Sequence, residues 1–218
     1  MVLLIRPPGV YAAQGDTFLL ISRLQREELG PGRRVLDVGT GSGAVAVAAA
    51  RHGASVTAVD VSRRAVATAW VNGMLHGHRI AVRRGDLLDP VRGETFDLVL
   101  SNPPYVPAAR PFPPLHGIAR TRDAGLNGRA LLDRICSEAR GVLRPGGVVL
   151  LVQSALSGVD ATCARLREAG LSSEVVARTR QPFGPVMRAR AGWFEERRLI
   201  GRGQREEELV VIRGVRLD

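Results

Sequence analysis

The sequence contains no lysine. All 31 of its basic residues are arginine, set against 21 acidic ones, and the formal net charge is +10. Complete replacement of one cation by the other reads as a bias of base composition, which discounts the pI of about 11.3 as a functional sign. The surplus still favours an anionic neighbour, such as RNA or a ribosome-associated protein. It is densest over residues 178–205, a solvated basic face or a docking surface. Aromatic residues make up only 4%, leaving few rings on which bases would stack. With two cysteines, Cys136 and Cys163, each in a helix-like stretch, buried thiols are expected in place of a disulfide framework. No apolar run approaches the ~20 residues of a membrane span. The opening MVLLIRPPGVYAAQGD has neither the basic start nor the long apolar middle of a signal peptide. A cytoplasmic protein without a membrane segment is expected. None of the histidines, His52, His76, His78 and His116, makes a metal site, and none is predicted. His116, in a long loop, is open to a substrate contact.

What is present is regular. A chain of 218 residues suits one domain able to bury a sizeable core, here 1–218. Its parts are a helical lead-in over 1–30, a substrate loop at 106–128 and a basic insertion at 178–206. Helical spacing in GDTFLLISRLQREELG is followed by a short apolar strand, a glycine turn and an alanine-rich helix in RRVLDVGTGSGAVAVAAARHG. ASVTAVDVS reads as a second strand, with Ser62 capping a helix to about Met74. Strands then fall at RIAVRRGDLLD, TFDLVLSNPPY, RPGGVVLLVQS, SEVVARTR and EELVVIRG, with helices at GRALLDRICSEARGVL and GVDATCARLREAG. Such alternation predicts an α/β fold: a doubly wound, mostly parallel seven-stranded sheet with helices on both faces. The last two strands, joined by a non-helical basic stretch, are expected to add an antiparallel edge strand.

The turn DVGTGSGA sets Gly39, Gly41 and Gly43 between a strand and a helix, where a missing Cβ lets the backbone turn tightly and approach a ligand. Asp60 closes the next strand, a position suited to a ribose diol. GTGSGA also satisfies the dinucleotide pattern G-x-G-x-x-A, so NAD is a rival. Two acids weigh against it. Asp37 would repel a pyrophosphate but hold an ammonium group, and Asp86, ending the third strand, would meet an adenine amino group. A ligand with an amino-acid end and an adenosine end fits both, and S-adenosylmethionine is such a ligand. A chain without lysine also lacks the Tyr-x-x-x-Lys pair of many oxidoreductases.

The strand FDLVL leaves through SNPPYVPAARP. Two successive prolines leave the backbone little freedom and hold Asn102 at a strand end. Asn102 and the Pro103 carbonyl can each accept a hydrogen from a planar NH2, while Tyr105 can pack on it. An amide nitrogen is a poor nucleophile, so gripping it and aiming its lone pair is the chemistry required. Here the sequence resembles class I S-adenosylmethionine-dependent methyltransferases acting on planar nitrogens: the adenine-N6 and cytosine-N4 enzymes, and the glutamine-N5 enzymes of the HemK group.

The stretch GVYAAQGDTFLLISRL resembles the Y-x-P-x-[ED]-D-T-x-L-L opening of the shorter HemK-like branch, and DAGLNGRALLDRI resembles a later family segment. The resemblance, over residues 9 to 213, implies N5-methylation of a protein glutamine, with a release factor (Gly-Gly-Gln type) as substrate. By position it implies Thr17, Asp37 and Gly39 around the amino-acid end of S-adenosylmethionine, Asp60 at the ribose, Asp86 and Leu87 at the adenine, and Val61 among the cofactor contacts. Asn102 would then touch cofactor and substrate. It further implies a small zinc-binding activator on an apolar sheet edge, for which ELVVIRG and VVLLVQ are candidates. Ala13 and Gly15 depart from the family's proline and acid, leaving the entrance-side contacts to the substrate open. Asp16 and Thr17 also read simply as a helix N-cap. The competing expectation is an amino-methyltransferase of RNA, DNA or a small molecule; a non-catalytic cofactor-binding module is a further one.

Overall fold

The computed structural model describes residues 3–109 and 124–218, so His116 and most of the 106–128 loop lie outside the described residues. Its elements are α1 (Gly15–Leu24), β1 (Arg34–Val38), α2 (Ala44–Ala50), β2 (Ser55–Asp60), α3 (Arg63–Leu75), β3 (Ala81–Arg84), β4 (Phe96–Ser101), α4 (Ala130–Val142), β5 (Leu143–Ser154), α5 (Val159–Glu168), β6 (Leu171–Pro182), α6 (Pro185–Glu196) and β7 (Glu206–Arg216). The seven strands form one sheet in the order β3-β2-β1-β4-β5-β7-β6. Neighbours from β3 to β5 are parallel. β7 runs antiparallel to both β5 and β6, one place in from the edge.

Alternation along the strands explains the layers. Leu36, Val99, Val149 and Leu151 point into a cluster with Ile135 and Cys136 of α4 and Leu166 of α5. Their neighbours Val35, Leu98, Leu100 and Leu150 point the other way, into a cluster with Leu20 and Leu24 of α1 and Ala46 and Ala49 of α2. A strand buried on both faces needs a continuous apolar run, and the stretches 35–36, 98–100 and 148–152 supply one in each of these strands. Both cysteines are free and buried, and no helix among the described residues is long and apolar enough to cross a membrane.

Strand order reverses between β1 and β4, which opens a crevice beyond their carboxyl ends. The lead-in is pinned beside it by Asn72, which is fully buried. The Asn72 amide accepts from Ile5 N at 2.8 Å and donates to Ile5 O at 2.9 Å and to Ser42 O, in the glycine turn, at 2.8 Å.

Two expectations are corrected. The basic stretch between the last two strands is not without helix: α6 occupies it, with proline in its first turn. Met187, Ala191 and Phe194, spaced i, i+4, i+7, bury against Phe183 and Ile200. The two strands considered for a partner-binding edge, β5 and β7, lie inside the sheet, whose edges are β3 and β6.

Candidate active site

Backbone geometry sets the floor of the site. Gly39, Gly41 and Gly43 all have positive φ, at 73°, 56° and 82°, which glycine adopts without a side-chain clash. A Cβ on Gly39 would meet nothing within 4 Å, so that residue faces open space. A Cβ on Gly43 would fall 2.9 Å from Ala69 Cα of α3, so its bareness serves helix packing.

A cavity of about 1170 Å³ lies over this floor. From β1–β3 it receives Gly39, Gly41, Asp60, Val61, Asp86 and Leu87; from β4 it receives Asn102, Pro103 and Tyr105. Thr17 and Asp37 border a smaller adjoining recess that Asn102 shares, and Gly43 lines neither space. The structure thus brings together the sequence-predicted residues except Gly43.

Each acid is braced differently. Asp60 accepts from Gly41 N at 3.0 Å and from Ser62 N at 2.8 Å, which fixes its carboxylate at the cavity wall. Asp37 Oδ2 accepts from the Thr40 hydroxyl at 2.6 Å and from Ala46 N at 3.1 Å. Burial dominates over those two bonds, and with repulsion from Asp60 it pushes Asp37 up to about 7. Asp86 is engaged by Arg134 at 2.8 Å, an ion pair that the sequence did not foretell. Leu87 adopts φ 47°. That left-handed turn, costly for a residue with a Cβ, carries Leu87 to the cavity wall.

At the acceptor side a chain of hydrogen bonds sets the asparagine. Asn102 Nδ2 donates to Thr17 Oγ1 at 3.2 Å, and the Thr17 hydroxyl donates to Asp16 Oδ1 at 3.2 Å. Asp16 Oδ2 accepts from the Tyr11 hydroxyl at 2.7 Å and the Tyr105 hydroxyl at 2.9 Å. Since its nitrogen faces Thr17, the Asn102 carboxamide turns its oxygen the other way. Tyr105 is a fixed wall, its ring packed with Leu132 and Leu209. Burial first, then Asp16, raises its hydroxyl pKa well above 10. Its carbonyl accepts from the Ser157 hydroxyl at 2.6 Å, and Gly128 passes so close that a Cβ would sit 2.2 Å from that oxygen. Both ends of the loop after the motif pair, Ala108 N donating to Gly125 O at 2.9 Å.

Sequence reading missed Tyr11 and underrated Asp16. The N-cap of α1 is Gln14, and Asp16 sits in the first turn, joining two tyrosines 94 residues apart in sequence. It also missed Glu207, Gln181 and the start of α6, which wall the acceptor side. A usable signal existed: alternation puts Glu207 on the same face of β7 as the buried Leu209 and Val211.

The Methyltransferase small domain family matches residues 2–111. A Methanocaldococcus jannaschii protein called putative protein N5-glutamine methyltransferase is 34% identical over 181 residues, covering 83% of this chain and 90% of that one. The release factor glutamine methyltransferase of Gloeobacter violaceus is 42% identical over 129 residues, covering 55% of this chain and 45% of the relative. The chain spans about half the length of such bacterial relatives. Among solved structures, the E. cuniculi Mtq2–Trm112 complex, described as responsible for methylation of the eRF1 termination factor, superposes with a TM-score of 0.65. It is 26% identical, over 95% of this chain and 99% of that one. A seven-stranded sheet of this order, a glycine turn at the switch point, and a glutamine-methyltransferase relative matched over 83% of the chain lead to one conclusion: the chain belongs to the HemK-like class I methyltransferases.

Proposed function

We propose that this methyltransferase uses S-adenosylmethionine to methylate N5 of a glutamine side chain in a protein, with a translation release factor as the substrate. The observation that carries the reading is the Thr17–Asn102 bond, which aims the Asn102 carboxamide oxygen away from Thr17 on a proline-stiffened corner. That oxygen and the Pro103 carbonyl are the two acceptors for a flat NH2 group.

The cavity residues fit the cofactor. Open space over Gly39 admits a ligand against bare backbone, and Asp60, fixed by two backbone N–H groups, stands at the ribose position. Val61, Asp86 and Leu87 would flank the base, with Thr17 and Asp37 at the recess for the amino-acid end. When bound, S-adenosylmethionine supplies a methyl group carried on a sulfonium, which leaves as a neutral thioether. The protein's task is then to hold the nitrogen in line and exclude competing water. Asn102 and the Pro103 carbonyl each accept a hydrogen bond from one N–H, which increases electron density on nitrogen and favours its pyramidal form; the nitrogen, cationic once methylated, gives up one of those protons to solvent. Tyr105, immobilised by Asp16, closes the wall behind it.

A second reading, methylation of an amino group on RNA, draws on the exposed arginines Arg188, Arg197, Arg198 and Arg202 in and after α6. Against it, the rings lining the cavity among the described residues are Tyr11 and Tyr105, both tied to Asp16. A partner that adds to the sheet, as an activator would, has β3 and β6 as its available edges. Incubating the protein with radiolabelled S-adenosylmethionine and a lysate split into protein and nucleic-acid fractions tests the proposal. Label is expected in protein, mapping to a glutamine. Label confined to RNA or DNA would overturn the reading.

A further inference from the structure

Glu207 is buried at 5% exposure and is one of the residues lining the main cavity. Its Oε2 is buried without a hydrogen-bond partner. Its carboxyl has two hydrogen-bonding side chains beside it: the Ser154 hydroxyl, and Gln181, whose Nε2 donates to Oε1 over a long 3.5 Å. The nearby Asp16 is, by contrast, fully engaged by Thr17 and two tyrosines. Gln181 comes close because residue 15 is glycine: a Cβ there would lie 2.0 Å from Gln181 Oε1. Gly15, Gln181 and Glu207 therefore form one constellation, in which the amide occupies the space beside α1 and turns its nitrogen toward the acid. Burial first, with a smaller push from the Asp16 charge, raises the Glu207 carboxyl above its ordinary value against the opposing hydrogen bonds from Ser154 and Gln181. A buried carboxylate oxygen with no donor costs stability unless something supplies one. Oε2 is shut off from solvent where it stands, but Glu207 lines the cavity, and the last torsion of a glutamate is soft enough to swing an oxygen toward it.

We propose that Glu207 is a specificity-determining residue that accepts a main-chain N–H of the substrate polypeptide next to the methylated glutamine. This rests on the glutamine-methyltransferase reading and deepens it. A peptide offers neutral main-chain N–H groups on both sides of the glutamine at a fixed distance from its side chain, whereas a nucleobase does not. The acid would thus select glutamine within a polypeptide, and its partner would relieve the unpaired oxygen only in the bound state.

The test uses acetyl-Gly-Gly-Gln-Gly-amide and two esters, each replacing one N–H flanking the glutamine by oxygen. With wild-type protein, one ester is expected to raise KM about tenfold, with kcat within about twofold. Glu207→Leu should raise KM for the parent peptide by a similar factor and show no further loss with that ester. Glu207→Gln, which keeps an acceptor oxygen, should recover most of the loss; equal damage by Gln and Leu would point to a cation as the bound group and overturn the proposal. Thermal melting of both variants separates misfolding from lost recognition, and the ester series on wild type needs no variant. Unchanged KM in Glu207→Leu, or ester penalties equal in wild type and variant, would sink the inference while leaving the glutamine reading intact. Failure of wild type to methylate the peptide and a full-length release factor alike would remove both.

Discussion

Asn102 gains its orientation from a neighbour 85 residues away, and that dependence is measurable. Replacing Asn102 by alanine is expected to lower kcat by at least about 100-fold, as the loss of an aimed hydrogen-bonding group does. Affinity for S-adenosylmethionine should stay within about tenfold, since one hydrogen bond contributes roughly 1 kcal/mol; kinetics paired with calorimetry reads both. Thr17→Val removes the acceptor that turns the carboxamide and should cost about tenfold in kcat, with Thr17→Ser restoring it. If valine were harmless, the orientation would be set elsewhere. Asp37 yields a pH prediction. Its folded value of about 7 lies above the ordinary 3.8, so the native state retains a proton that the unfolded chain releases. Its contribution to stability is complete below the ordinary value and disappears as pH rises through 7. Melting temperature should therefore fall less between roughly pH 5 and pH 8 in Asp37→Asn than in wild type, and parallel curves would refute the assignment.

At the level of elements, α6 divides into an apolar stripe and a basic face. Phe194 is fully buried within a small cluster that also touches Val106, next to the NPPY corner, and Leu156. Phe194→Ala should destabilise by about 3–5 kcal/mol if the cluster unfolds with the rest. Because this cluster stands on the acceptor side, the KM for the methyl acceptor should rise while calorimetric affinity for S-adenosylmethionine holds; the reverse pattern would relocate α6 functionally. The same helix shows where sequence reading stops. The strand–glycine turn–helix unit, the capped start of α3 at Ser62 and the NPPY corner are local patterns, each written in one short continuous stretch of chain. They were legible because backbone stereochemistry fixes them without help from distant chain. In α6 the spacing of Met187, Ala191 and Phe194 was equally present, but eight arginines across residues 178–205 drew attention to charge. The meetings of Tyr11 with Tyr105 through Asp16, and of Gly15 with Gln181 beside Glu207, follow from sheet order alone. No periodicity encodes them.

For the whole molecule, the crevice joins parts that fold from both ends of the chain. β1 to β3 deliver the glycine turn, Asp60 and Asp86, while β4, α1 and β7 deliver Asn102, Asp16 and Glu207. A ligand bridging these groups binds the folded state and not the unfolded one, so it should stabilise the entire domain. At 100 times its dissociation constant, S-adenosylmethionine is expected to add about 2.7 kcal/mol. For a domain of this size each kcal/mol raises the melting temperature by roughly 2–4 °C, giving a shift of about 5–11 °C. Asp60→Ala, which removes the carboxylate from the wall but leaves both cores untouched, should lose most of that shift at the same ligand concentration. Its own unliganded melt calibrates the cost of freeing the Gly41 and Ser62 N–H groups that Asp60 now holds. NAD supplied at equal concentration should produce no shift, because Asp37 stands just before the glycine turn, where it would repel a pyrophosphate. A NAD-induced shift as large as that of S-adenosylmethionine would mean the crevice recognises only the shared adenosine, and the distinction drawn from Asp37 would fail.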